Sequence, residues 1–358
     1  MFKLEDINKQ LIILIALSFR FVPIFYSSSY LNYLLIIILF LLTILNILKL
    51  KLPRDKFFAM VTLLLLSLLI FIVYREDNLF IYYVTALAFL KDKDNIIIKK
   101  FLIISLCLFS LILVSGKLSI INVIEGGRYI DGETIVRNSL GFGNINSAFV
   151  YYLGIIFGFY YFLHNHKFKL LLLYVPTTLM ALYMYRETDC RTGFYIYLLF
   201  VVVSLIYNKK LNNYFKRIVP YLFVFFTIFS FLLAIIYGTT MSNEVNSLLS
   251  GRPYFSYYYI KNFKFISLVG TGVVGHYVLD NYYLSLLVNS GIVGYITYLY
   301  VFTKSSKIIS DNYAYSLVIL FTLIYGILEC GLYGNFIYII MLKNIVCPDD
   351  EVLLDEKN

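Results

Sequence analysis

Apolar residues run through this chain in about twelve blocks, each close to the roughly 20 residues that carry a helix across a bilayer. The blocks fall at 8–27, 30–48, 57–74, 79–90, 101–116, 146–163, 170–186, 192–207, 218–237, 282–302, 313–329 and 334–347. The fourth and twelfth are short for a span and read as tilted partners in a bundle or as half-helices. No internal repeat is visible, and no signature of paired broken helices. The pattern predicts an all-α polytopic membrane protein, 1–358 forming one integral membrane unit with about twelve spans, within a range of about eleven to thirteen. The first block lacks a small-residue cleavage end and reads as a retained helix.

Two connections are far longer than the rest, 117–145 and 238–281. Both are rich in Ile, Val, Tyr and Phe, which argues against disorder and for functional loops. The second contains Arg252-Pro253-Tyr254-Phe255-Ser256-Tyr257-Tyr258-Tyr259-Ile260-Lys261-Asn262. Proline near a helix start followed by aromatic residues predicts a short amphipathic helix at the membrane surface.

Composition supports the membrane assignment. Of the 358 residues 61% are hydrophobic and 14% charged, against roughly 25% charged in soluble domains. The net charge of +9 is dispersed over many loops, so it is no nucleic-acid footprint. Lysines fill one alternating set of short loops: Lys49, Lys51 and Lys56; Lys91, Lys93, Lys99 and Lys100; Lys167 and Lys169; Lys209, Lys210 and Lys216; Lys304 and Lys307. The positive-inside rule makes that set cytoplasmic and places both termini there, in the cytoplasmic membrane of the cell. The opposite set holds Arg75, Arg128, Arg137, Arg186, Arg191 and Arg252. Arginine's planar fork binds phosphate oxygens in pairs, so these point to an anionic, membrane-borne ligand. The four cysteines and three histidines show no metal spacing, so no metal or cofactor is expected. Trp is absent, leaving the 35 tyrosines to form any interfacial belt.

Four short segments carry candidate chemistry. Arg137-Asn138-Ser139-Leu140-Gly141-Phe142-Gly143-Asn144-Ile145-Asn146 combines glycines, which admit close backbone approach, with Asn144 and Asn146 amides suited to sugar hydroxyls or phosphate. It reads equally as a turn with Asn146 capping the next helix. Arg186-Glu187-Thr188-Asp189-Cys190-Arg191-Thr192-Gly193 offers Arg191, or a plain turn in which Asp189 pairs with Arg186 or Arg191. Ser250-Gly251-Arg252 opens the middle of the second loop. Gly270-Thr271-Gly272 then leads to His276 and to Asp280-Asn281-Tyr282-Tyr283-Leu284, continuing to Gly291-Ile292-Val293-Gly294. On a helix, His276 and Asp280 would share a face and could supply a general base. Asp280 could instead cap the helix that follows.

The order of these pieces, over roughly 117–300, resembles the Wzy-type polymerases of O-antigen, capsular or exopolysaccharide repeat units, in the wider O-antigen ligase superfamily. Ligases often have His-Asn where this chain has Asp280-Asn281, which favours a polymerase. The resemblance implies a glycosyltransferase that joins oligosaccharide repeat units carried on undecaprenyl pyrophosphate at the outer membrane face. A chain-length regulator is an implied partner. On that reading Asp280 or His276 takes the proton of the attacking hydroxyl. Arg191, Arg252, Arg137 and Arg128 neutralise the diphosphate, and Asn144, Asn146 and Asn281 contact substrate. The rival readings are a ligase-like glycan transferase and a flippase of the lipid-linked unit. A transporter places its charges inside spans, whereas these gather in two loops.

Overall fold

A computed structural model describes residues 4–21, 29–48, 53–74, 78–130, 133–239, 246, 251–262, 267–268, 279–329 and 336–347. The described residues are dominated by helices: α1 (Leu4–Phe21), α2 (Ser29–Ile47), α3 (Arg54–Tyr74), α4 (Asn78–Ala88), α5 (Asp94–Lys117), α6 (Ser147–Leu163), α7 (Lys167–Thr188), α8 (Arg191–Ile206), α9 (Lys209–Phe215), α10 (Leu222–Thr239), α11 (Arg252–Asn262), α12 (Tyr282–Ile309), α13 (Tyr313–Leu328) and α14 (Ile337–Val346). A 3₁₀ turn, Val219–Tyr221, leads into α10. Over its described residues, each apolar block falls chiefly on one of these helices, and 22–27 and 334–335 lie outside the described residues.

Twelve full spans are not what they make. Among the described residues four stretches are long and apolar enough to cross a membrane: Asp94–Lys117, Lys167–Thr188, Val219–Thr239 and Tyr282–Ile309. A fifth arises if α8 and α9, bent by 112° at their junction, count as one broken span. The short fourth and twelfth blocks show why apolar runs overcount. α4 has 11 residues and α14 has 10, about 16 Å of helix at 1.5 Å per residue. Both are enclosed by protein: Val84, Ala86, Leu87, Ile339, Ile340 and Met341 are almost completely buried. They face each other through stacked Tyr82 and Tyr338 rings, 5.2 Å between centroids. A helix buried all round is apolar all round, whether or not it spans.

Many tyrosines also lie inside. Tyr83, Tyr151, Tyr160, Tyr197 and Tyr283 are fully buried. The Tyr83 hydroxyl donates to the Met60 carbonyl and Tyr283 to that of Leu323, each at 2.7 Å. These bonds offset the cost of placing a hydroxyl among apolar side chains.

The loops sort to opposite ends of the bundle. At one end the lysine-rich connections bind each other and the helix ends. Lys167 Nζ donates to the Ser204 and Tyr207 carbonyls, capping α8. Asn212 donates to the Ser310 carbonyl, Lys216 pairs with Asp311, and Tyr313 donates to Asn165. Asp94 is enclosed there by Lys343 Nζ at 2.9 Å, Asn344 and Tyr315, and Lys9 pairs with Asp92 at 2.8 Å.

At the other end the first long loop has a fold that hydropathy did not announce. Strands β1 (Glu125–Ile130) and β2 (Glu133–Asn138) form an antiparallel hairpin, with Gly126 opposite Arg137. The chain then turns tightly against α5. Gly141 has φ +86°, and a Cβ there would stand 2.9 Å from the Ile112 carbonyl oxygen. This glycine serves helix-to-turn packing, with Phe142 buried behind it against Phe109 and Tyr151.

The second long loop is partly described. α11 forms where the Pro-aromatic pattern predicts it, and its aromatic residues engage protein. Tyr254 and Tyr257 pack on Tyr237 of α10, while Tyr259 is buried with Leu279, Leu284, Leu287 and Val288. α12 is broken at Gly291 (φ 64°, ψ −168°), a break the sequence reading did not anticipate. The Ile292 and Val293 amides freed by the break donate to the Ser267 and Leu268 carbonyls at 3.1 and 3.3 Å. Part of the second loop therefore lies against the middle of this span.

Candidate functional site

At the arginine-bearing end, residues from five segments meet in a partly buried polar cluster around the buried Glu329. β2 presents Arg137, whose Nε donates to the Thr188 carbonyl at the end of α7 (2.8 Å). An Arg137 terminal nitrogen donates to Asn146 Oδ1 at 2.9 Å. Asn146 occupies the N-cap position of α6 but makes no capping hydrogen bond with its side chain. Its amide nitrogen instead reaches Glu329 Oε1 and Oε2 at 3.3 and 3.4 Å. From the start of α11, Arg252 Nη2 donates to Glu329 Oε1 at 2.8 Å, with both side chains buried. Glu329 ends α13, its backbone N–H bonded to the Tyr325 carbonyl.

Asp280 completes the group. It precedes α12 in a non-helical stretch, so an i, i+4 helical pairing with His276 does not hold at this residue. His276 itself lies outside the described residues, as do Ser250 and Gly270-Thr271-Gly272. Helix capping, one alternative role for Asp280, belongs to its neighbour: Asn281 Oδ1 accepts from Leu284 N at 3.1 Å. The Asn281 amide also donates to Ser230 Oγ and to the Ile327 carbonyl at 3.0 and 3.1 Å. It fixes α12 to α10 and α13, and with them the position of Asp280. Among the described residues Asp280 accepts no hydrogen bond.

Two guanidiniums and two carboxyls thus share one poorly hydrated site. Burial raises the Asp280 carboxyl above its ordinary range, against the opposing pull of Arg252 and Arg137. Burial lifts Glu329 as well, to about 7; Arg252 opposes the rise and the negative charge of Asp280 adds to it. Desolvation disfavours the charged form of each acid, and mutual repulsion makes simultaneous ionisation costly. The site's affinity for a proton is therefore raised. The buried Cys190 thiol, pushed up to about 12 chiefly by burial, feels the charges of Glu329, Arg137 and Arg252. The Tyr325 hydroxyl is buried without a hydrogen-bond partner among the described residues, in the field of the same charges.

The remaining sequence candidates lie beside or away from this group. Arg191 begins α8, one residue after Cys190. Its side chain is 41% exposed, and its Nε stands 3.4 Å from Asp189 Oδ1. Asp189 adopts a left-handed backbone (φ 44°) that ends α7 and turns the chain into α8. Gly193 packs against Phe149, where a Cβ would stand 2.5 Å from the Phe149 Cβ. Asn144 is exposed and accepts from the Asn146 backbone N–H at 2.9 Å, shaping the turn that aims Asn146. Arg128 lies on β1 opposite Ile135. Among the described residues no three His, Cys, Asp or Glu side chains are grouped to hold a metal ion.

Glu329 is the member that sequence reasoning missed. It stood inside the eleventh apolar block, as an ionisable residue at the end of a long hydrophobic run. That is the signal that marks intramembrane functional sites.

No family model, curated protein or solved structure matches this chain.

Proposed function

We propose that this chain is a membrane glycosyltransferase that polymerises lipid-linked oligosaccharide repeat units, with undecaprenyl pyrophosphate as carrier and leaving group. The observation that carries the reading is the convergence of Arg137, Arg252, Asn146, Asp280 and Glu329 at the arginine-bearing end of the bundle. The motif order in the sequence supplies the substrate class. The arginine end faces outward and the lysine end faces the cytoplasm, following the lysine asymmetry.

The chemistry follows from the parts. A hydroxyl of the incoming unit attacks the anomeric carbon of the growing chain, and the bond from that carbon to the diphosphate oxygen breaks. The departing diphosphate gathers negative charge, which fixed guanidiniums stabilise without reorganisation. Arg252, nearly buried, and Arg137, half-buried, are oriented for this. Asp280, free of hydrogen bonds among the described residues and with a raised affinity for protons, takes the proton of the attacking hydroxyl. Asn146 and Asn281 hold the arginines and the start of α12 in register. Arg191 belongs to the exposed approach, Arg128 is assigned to the diphosphate by the resemblance alone, and metal-independent turnover completes the reading.

The test is reconstitution. Purified chain in nanodiscs with a single lipid-linked repeat unit should yield a ladder of longer glycans and free undecaprenyl pyrophosphate. In cells, deleting the gene should leave single repeat units at the surface. Complete loss of surface glycan would point to a flippase. Polymer left intact but not passed to its final acceptor would point to a ligase-like transferase.

A further inference from the structure

The Arg252–Glu329 pair carries a second deduction, which rests on the reading that this site accepts a diphosphate. Arg252 Nη2 and Glu329 Oε1 are 2.8 Å apart, with side chains 11% and 6% exposed. The guanidinium that should meet the substrate's phosphate oxygens already holds a carboxylate. Carboxylate and phosphate present the same acceptor geometry to an arginine fork. We propose that Glu329 is a stand-in anion, which holds Arg252 until substrate binds and yields it to a substrate diphosphate while taking up one proton.

The exchange balances. The Arg252 N–H···Oε1 bond breaks, an N–H···O–P bond forms, and a solvent proton moves to the Glu329 carboxyl. Without that proton, both carboxylates and the two charges of a diphosphate diester would face only two guanidiniums. The surroundings of Glu329 favour the uptake. Asp280 before α12 repels its charge, Arg252 from α11 and the Asn146 amide before α6 stabilise it, and burial raises its proton affinity to about 7. Arg137 from β2 acts on Asp280 and on the Cys190 thiol, and the Tyr325 hydroxyl on α13 completes the group facing Glu329. The exposed Arg191–Asp189 pair is a poor candidate for the same role, since solvent screens it.

The measurement is calorimetric titration of the purified full chain with a short-chain prenyl diphosphosugar, a diester that does not itself titrate near neutral pH. Buffers of different ionisation heat report the protons exchanged. The wild type should take up close to one proton per ligand above pH 7, and affinity should weaken by up to about tenfold per pH unit there. Glu329→Gln should bind without uptake and with little pH dependence, and Glu329→Asp should restore part of both. The wild-type measurement stands alone if a variant fails to fold. Binding without proton uptake in the wild type, with an unchanged pH profile in Glu329→Gln, would overturn the stand-in role and leave the polymerase reading intact. Equal binding by the wild type, Arg252→Ala and Arg137→Ala, or no binding by any of them, would overturn both.

Discussion

Arg252 and Glu329, 77 residues apart along the chain, meet through a 2.8 Å charge-assisted hydrogen bond at the mouth of the bundle. The pair joins the second long loop to the end of α13, and through Asn146 and Arg137 it reaches the first-loop hairpin. Removing one partner of a buried pair strands the other, at roughly 3–5 kcal/mol. Arg252→Ala should therefore abolish polymer formation and lower thermal stability together. Arg252→Lys should keep more stability than activity, since a point charge cannot reproduce the fork. Polymer yield and melting temperature, measured on the same preparations, separate the two effects.

The arginines should rank by position. Arg137 is tied to Thr188 and Asn146, whereas Arg191 is 41% exposed beside Asp189. Arg137→Ala should cost at least ten times more turnover than Arg191→Ala, and Arg217→Ala at the lysine-rich end should be silent. Equal losses at Arg137 and Arg191 would remove the buried cluster from its central role.

Asp280→Asn isolates proton transfer, because Asn281 does the capping. Turnover should fall by roughly 10²–10⁴-fold with substrate binding retained, as for loss of a general base. Asn281→Ala should do the reverse and destabilise the fold by about 1 kcal/mol or more, through loss of the cap and of two bonds to neighbouring helices.

Stability should depend on pH with a definite sign. The folded state holds Glu329 near 7 against an ordinary value of 4.5, with Asp280 shifted the same way. Folding thus favours the protonated acids. The contribution is complete below about 4.5 and is lost as pH rises through about 7. The apparent melting temperature of detergent-solubilised protein should decline across that window, and Glu329→Gln should flatten the decline. A rise would reverse the assignment.

Sequence and structure agree where one physical signal dominates. Unbroken apolar runs located the helices, and the split between lysine and arginine loops located the two ends. Arg137, Asn146, Arg252 and Asp280 were legible because polar residues in glycine-bearing loops beside apolar runs have few other reasons to be there. Span number was not legible, because α4 and α14 are apolar through burial in protein rather than in lipid. The hairpin was missed because Glu125–Ile130 and Glu133–Asn138 are short and glycine-bearing at one end. Glu329 was hidden by counting it into a hydrophobic block.

The break at Gly291 bears on how the chain is assembled. Its backbone (φ 64°, ψ −168°) lies in a region essentially reserved for glycine, so Gly291→Ala should cost about 1–3 kcal/mol and reduce accumulation of the protein. The Ile292 and Val293 amides lie roughly 15–16 Å into the helix at 1.5 Å per residue, where hydrocarbon offers no acceptor. Among the described residues the carbonyls of Ser267 and Leu268 satisfy them. During biosynthesis, then, α12 cannot settle in lipid by itself. The Ser267–Leu268 stretch has to dock on it, so that insertion of this span and folding of that stretch become a single step.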